Sequence, residues 1–312
     1  MDVTAHLTRL TGAPITHLER LGHSHAWTLY RAELADGREV FVKALPDAAE
    51  PTTRSLEPQP EDSEPTTANP DSQYESPTAS GALRAEAAGL RWLSEADVDL
   101  VPPVLAADPT MLVLPWLTTE SATAPVAEKF GHDLAEMHAR TPATYGAPWP
   151  GYVATLPLDN TPGTGDWGSW YAERRLAPYL PAAAPTLGRA GVRLIEEVIR
   201  RIDDLAGPAE PPSRIHGDLW SGNLLWTADR AVLIDPAAHG GHRETDLAML
   251  ALFGAPHLDR IVAAYHEQMP LSSGWRQRIS LHQLHPLFVH VVLFGGSYRG
   301  MLLAAAAAAL RG

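Results

Sequence analysis

Short runs in which apolar and polar residues alternate open the chain. Residues 15–21, 27–34 and 39–45 each read as a strand. Ala35-Asp36-Gly37-Arg38 joins the second and third, and Asp-Gly between alternating runs is a strong hairpin signal. Within the third run, Val40, Val42 and Ala44 fall on one face and Phe41, Lys43 and Leu45 on the other. Residues 104–106 and 111–115 read as two further strands, and residues 3–11 and 82–93 as helices. From residue 124 the period changes to that of a helix, with Val126, Phe130, Leu134 and Met137 on one stripe. Helices are expected over 124–140, 167–180, 187–205, 244–252, 256–268 and 274–310. A Gly/Pro-rich loop is expected over 141–165, and a hairpin from 223–226 to 231–234 around Thr227-Ala228-Asp229-Arg230.

The pattern fails over residues 46–81. Pro, Glu, Asp, Ser and Thr crowd this stretch, and large apolar residues are almost absent. Such a composition cannot offset the entropy of ordering, so a disordered acidic insertion is expected. The fold class that emerges is α+β. A small lobe over residues 1–116 has an antiparallel sheet and one helix, and a larger, mostly helical lobe spans 117–312. That is a protein-kinase-like, two-lobed arrangement.

Charge narrows the partners. The 312 residues carry 24 Lys and Arg against 37 Asp and Glu, a formal net charge of −13. A nucleic-acid or anionic-membrane surface needs basic stripes that this balance does not favour. No cysteine is present, so disulfides and thiol chemistry are excluded, and any dimer must be non-covalent. Neither apolar stretch near the end, 287–294 or 301–310, reaches the eighteen or so residues of a membrane helix, and residues 1–10 lack a signal-peptide pattern. A cytoplasmic protein without a membrane partner is the expectation.

Chemistry concentrates in Arg214-Ile215-His216-Gly217-Asp218-Leu219-Trp220-Ser221-Gly222-Asn223, with Asp235 twelve residues on. Four residues separate Asp218 from Asn223, as in a protein-kinase catalytic loop. Phosphoryl transfer from MgATP needs one carboxylate for the acceptor hydroxyl, and an amide and a second carboxylate for the metal. Asp218 is the candidate base; Asn223 and Asp235 are the candidate Mg²⁺ ligands. Each alone could simply cap a turn or a strand, but the joint spacing argues for the site. Asp235 ends an apolar run, where a carboxylate needs a cation or donors.

Lys43 on an apolar strand needs an anion, and Glu86 on the following helix is its candidate partner in holding ATP phosphates. The turn between the first two strands, with Gly22, His23 and Ser24, is the candidate phosphate cover, although a plain polar turn would look the same. Downstream, His242, Arg243 and Glu244 are placed to line an acceptor pocket, and Trp220 could stack on a sugar. Asp246 either caps the next helix or braces the catalytic loop from a buried position. His138 is read as a hydrogen-bonded core histidine, and Trp167, Trp170 and Tyr171 as core. His282 and His285 are three apart, but no third ligand suggests a zinc site.

His216–Asn223, Leu233-Ile234-Asp235-Pro236-Ala237 and Gly241-His242-Arg243-Glu244-Thr245-Asp246-Leu247-Ala248-Met249 together resemble the fructosamine kinase (ketosamine-3-kinase) family. Phe41-Val42-Lys43, Glu86-Ala87-Ala88-Gly89-Leu90, Asp166-Trp167, Ala172-Glu173-Arg174-Arg175-Leu176, Tyr265-His266 and Phe294-Gly295-Gly296-Ser297-Tyr298 are similar too. The wider group of aminoglycoside and choline phosphotransferases shares the His-Gly-Asp, Asn, Asp skeleton. The resemblance implies ATP- and Mg²⁺-dependent phosphorylation of the sugar 3-hydroxyl of ketosamines, free or protein-bound, and hence deglycation. It gives Asp218, Asn223, Asp235, Lys43 and Glu86 the roles already named. The chain departs from the family at Leu21-Gly22-His23-Ser24-His25, which lacks a second Gly and an Asn, and at Pro115, where an acidic residue is usual. The alternatives are a kinase for an aminoglycoside, choline or another amino alcohol, and a non-catalytic nucleotide-binding module.

Overall fold

A computed structural model describes residues 2–46 and 76–312. The chain divides into two compact units, residues 1–87 with 104–117, and residues 88–103 with 118–312.

The first unit is built on a five-stranded antiparallel sheet. Helix α1 (Val3–Thr11) starts at Asp2, whose side chain accepts from the Thr4 and Ala5 amides. It leads into β1 (Ile15–Ser24), β2 (Trp27–Leu34) and β3 (Glu39–Ala44). Helix α2 (Ser76–Ser94) follows, then β4 (Ala106–Ala107) and β5 (Met111–Pro115), and the strands lie in the order β1-β2-β3-β5-β4. Period-2 alternation works as expected on β3. Val40, Val42 and Ala44 are fully buried in a core with Leu7, Ala32, Leu34, Met111 and Val113. Gly37, at φ 87°, closes the β2–β3 hairpin in a conformation that favours glycine.

Two boundaries in this unit differ from the sequence reading by three residues or more. Strand β1 runs on to Ser24, so Gly22, His23 and Ser24 pair with Leu29, Thr28 and Trp27 and are not part of an open turn. Residues 76–81 belong to α2, which begins six residues before residue 82; Pro77 in its first turn has the preset φ that starts a helix. The rest of the expected insertion, apart from Pro46, lies outside the described residues.

The second unit is mostly helical. After α3 (Ala124–Ala139) comes a small hairpin, β6 (Gly151–Val153) and β7 (Leu156–Leu158), inside the expected loop. Helix α4 (Trp167–Tyr171) continues through a π-turn and a 3₁₀ turn into α5 (Leu180–Arg200), which is broken at Gly188, and α6 (Ile202–Leu205). Four short strands follow: β8 (Ser213–Ile215), β9 (Leu224–Trp226), β10 (Ala231–Leu233) and β11 (His239–Gly241). β9 pairs with β10, and β11 pairs back with β8. Helices α7 (Glu244–Phe253), α8 (Leu258–Gln268), α9 (Trp275–His282), α10 (Leu284–Phe294) and α11 (Arg299–Ala309) complete the unit. Its core gathers Trp167, Trp170, Tyr171, Leu187, Ile195, Leu284, Phe288 and Leu302. The near-continuous helical run Trp275–Ala309 is, by length and composition alone, long and apolar enough to cross a membrane, which the separate apolar stretches were not. Leu284, Leu287, Phe288 and Leu302 from this run are buried in the core, a use that satisfies the same test.

Candidate active site

The two β pairs of the second unit bracket the loop that carries Asp218. Strand β8 ends at Ile215, and the chain turns through Gly217 at φ 81°. A Cβ there would lie 2.4 Å from the Ala237 carbonyl oxygen, so glycine is required for both conformation and space.

Asp246 holds the start of this loop. It is fully buried, and its two carboxylate oxygens accept from the His216 amide at 2.7 Å and the Gly217 amide at 2.9 Å. His138 adds a bond to Asp246 at 3.1 Å and reaches Tyr265 Oη at 2.8 Å through its other nitrogen. Burial alone would push the Asp246 carboxyl up. The bond from His138, with that from the Gly217 amide, brings it below the usual value. Of the two roles read from sequence, Asp246 takes that of the brace, and His138 is the hydrogen-bonded core histidine expected.

His216 stitches the loop to the metal-candidate strand. Its Nε2–H donates to the Ile234 carbonyl at 2.9 Å, and its Nδ1 accepts from the Asp218 amide at 3.3 Å. Burial depresses its pKa against the pull of Asp246, so the ring works as a neutral donor–acceptor. The Ile234 amide in turn donates to the Asn223 carbonyl at 3.0 Å. Residue 234 is thereby tied to both His216 and Asn223, and Asp235 follows it directly. Asp235 takes φ 53°, a left-handed conformation uncommon outside glycine and found at functional sites.

Asn223 Nδ2 donates to Asp218 Oδ2 at 3.1 Å and to the Asp218 carbonyl at 2.9 Å. With the amide nitrogen so occupied, the amide oxygen is the atom available to a cation. The donor set of Asp218, Asn223 and Asp235 is all oxygen, which suits Mg²⁺. Asp218 and Asp235 are half-buried. Trp220 folds back over its own loop: a Cβ on Gly222 would lie 2.2–2.5 Å from the six-membered ring of Trp220. The Trp-Ser-Gly sequence is therefore one packing unit.

In the first unit Lys43 lies on β3, 4% exposed, and its Nζ donates to Glu86 Oε2 at 2.7 Å. The ammonium also stands 4.4 Å from the centre of the Trp27 ring. The pairing of strand Lys with helix Glu is thus present. His23 exchanges hydrogen bonds with Arg20 and, at 3.3 Å, with Thr28 Oγ1.

His242, Arg243 and Glu244 are not brought to an open face; they are 2%, 5% and 3% exposed. Arg243 forms a two-pronged pair with Glu210, at 2.6 and 2.8 Å, and donates to the Met269 and Pro270 carbonyls. Its guanidinium is held above the ordinary value, the bonds to Glu210 outweighing burial. Glu244 pairs with both arms of Arg278, at 2.9 and 2.5 Å. Burial opposes its charge, but His282 and Arg278 lower its pKa to about 2. The Glu244 amide donates to His242 Nδ1 at 3.2 Å, and burial with the nearby His282 lowers the His242 pKa to about 3. Candidate ligand atoms of His242, Glu244 and His282 lie within 4.8 Å of one another. Arg278 already occupies both carboxylate oxygens, so the group reads as a buried ion pair flanked by neutral imidazoles, His282 stacked on Trp167 and His242 tilted against it. Glu210 and Arg278, the partners that decide this, carried no sequence signal, because they lie about thirty residues from the groups they pair with.

Residues 73–310 match the fructosamine kinase family. The chain is 35% identical over 223 residues to a probable ketoamine kinase of Thermus thermophilus, covering 71% of this chain and 80% of that one. A solved structure of a candidate fructosamine-3-kinase from Thermobifida fusca YX-ER1 is 50% identical, with a TM-score of 0.87, and the two cover 100% and 99% of each other. A macrolide 2'-phosphotransferase from Brachybacterium faecium shares the fold alone, at 15% identity and a TM-score of 0.57 over 98% of this chain and 96% of that one. With an antiparallel sheet leading a helical remainder and a loop that presents Asp218 and Asn223 side by side, the chain belongs to the fructosamine kinase family, on a protein-kinase-like fold.

Proposed function

We propose that this kinase transfers the γ-phosphoryl group of ATP to the 3-hydroxyl of the sugar in a ketosamine, free or protein-borne, and so initiates its deglycation. The observation that carries the reading is the contact between Asn223 Nδ2 and Asp218 Oδ2, which sets the candidate base and a candidate metal ligand side by side and fixes the orientation of the carboxylate. Asp218 orients the hydroxyl and takes its proton as the oxygen bonds to the γ-phosphorus and the bond to ADP breaks. Asn223 and Asp235 would hold Mg²⁺, which would supply charge neutralisation at the phosphate oxygens. Lys43, oriented by Glu86, binds the α- and β-phosphates, and Gly22, His23 and Ser24 cover them. Trp220 supports the acceptor sugar. His242, Arg243 and Glu244 act at one remove, holding the start of α7 and with it Asp246.

The test is MgATP turnover with the fructosamine and ribulosamine of lysine, with the product read by phosphorus NMR. A 3-phosphate supports the proposal. Turnover with an aminoglycoside or choline and neither ketosamine would overturn it.

A further inference from the structure

Five rings run from the catalytic loop outward in the second unit. Phe253 meets Trp220 edge-on with centroids 6.2 Å apart. His290 follows at 5.1 Å from Phe253, with Phe294 and Tyr298 at 5.6 and 4.7 Å from His290. These residues are brought together from a loop, the end of α7, α10 and the 3₁₀ turn after it. Four of them are half-buried, and Phe294, at the outer end, is 41% exposed. His290 Nδ1–H donates to the Pro286 carbonyl at 2.7 Å, which fixes the ring in the middle of the row. Trp220 is fixed by packing on Gly222, two residues from Asp218. The row therefore starts two residues from Asp218 and ends in solvent.

An apolar row beside a sugar-phosphorylating loop is not explained by the sugar. A ketosamine sugar is polar all round, and its amine nitrogen lies four bonds from the 3-hydroxyl oxygen. Whatever substituent the amine carries must leave the site along an adjoining wall. We infer that the row Trp220–Phe253–His290–Phe294–Tyr298 receives the amine half of the acceptor and selects adducts whose amine bears an aromatic or apolar body close to the nitrogen. The secondary ammonium gains from the ring faces, and the body gains from apolar burial. The inference rests on the ketosamine reading.

The experiment compares kcat/KM for the fructosamines of benzylamine and methylamine, in wild type and in Phe294→Ala and Phe253→Ala. The ratio of the two constants is read, so loss of folded enzyme cancels. We expect the benzylamine adduct to be preferred about tenfold, mainly through KM, and each substitution to bring the ratio toward one. A wild-type ratio near one, or a ratio that both substitutions leave unchanged, would overturn the inference while leaving the ketosamine activity standing. No turnover of either adduct would instead sink the ketosamine reading, and this inference with it.

Discussion

The loop that carries Asp218 and the hairpin that ends in Ser24 hold the site residues in opposite ways. In the loop, consecutive backbone groups are fixed by buried side chains. Asp246 takes the amides of His216 and Gly217, His216 takes the amide of Asp218 and the carbonyl of Ile234, and Asn223 takes the Asp218 carboxylate. In the hairpin, strand pairing sets most of the backbone, and the side-chain bonds of Thr16 to the Glu33 carbonyl and of His23 to Arg20 lie on exposed or half-buried groups, with only Thr28 buried among the partners of His23. The candidate catalytic loop is built from the interior; the candidate phosphate cover rests on a β-ladder at a sheet edge. Substitutions should therefore act steeply in the loop and weakly in the hairpin.

The steepest is Asp246→Ala. It leaves two buried amides and His138 without their acceptor, and a loss of about 3–5 kcal/mol is expected in urea unfolding. Asp246→Asn, which keeps one acceptor oxygen, should lose less; equal losses would show that the loop is not held this way.

Acid should expose the buried pairs beside the loop. Glu244 has its pKa depressed to about 2, so its contribution is complete above the unfolded value near 4.5 and is lost as pH falls through 2. That contribution is about 3 kcal/mol. His242, depressed to about 3, adds nothing above pH 6.5 and favours unfolding progressively as pH falls from there to 3. Thermal melts should thus fall from about pH 6.5 downward, and Glu244→Gln should flatten the part below pH 4.5. A flat profile in wild type would contradict the buried pairing.

Gly222→Ala should displace the Trp220 ring and raise the acceptor KM several-fold, about 1 kcal/mol, with the ATP KM little changed. A change in ATP KM alone would break the link between this glycine and the acceptor. The smallest effect belongs to the hairpin: His23→Ala should alter stability by no more than about 0.5 kcal/mol. A loss comparable to that of Asp246→Ala would erase the contrast.

The same contrast governs what could be read in the sequence. The spacing of Asp218 to Asn223 and Asp235, and the face that Lys43 occupies on β3, are local periodicities, and the structure realises both as bonded or stitched pairs. The β8–β11 pairing has no local sequence signal, because β9 and β10 intervene and no tight turn joins its two strands. His242, Arg243 and Glu244 read as open pocket residues because burial depends on Glu210 and Arg278, which spacing cannot reveal. The start of α2 was hidden because polar composition outweighed the helix-start signal of Pro77. Trp-Ser-Gly is adjacent in sequence, but the collision of a side chain at 222 with the Trp220 ring follows from the fold of the loop.

The most direct test of the account is single-turnover phosphorylation of a fructosamine by wild type and Asp218→Asn at saturating MgATP, with ATP affinity measured alongside. The expected result is a rate lower by a factor on the order of 10² or more with ATP affinity preserved. Equal rates in the two proteins would contradict it.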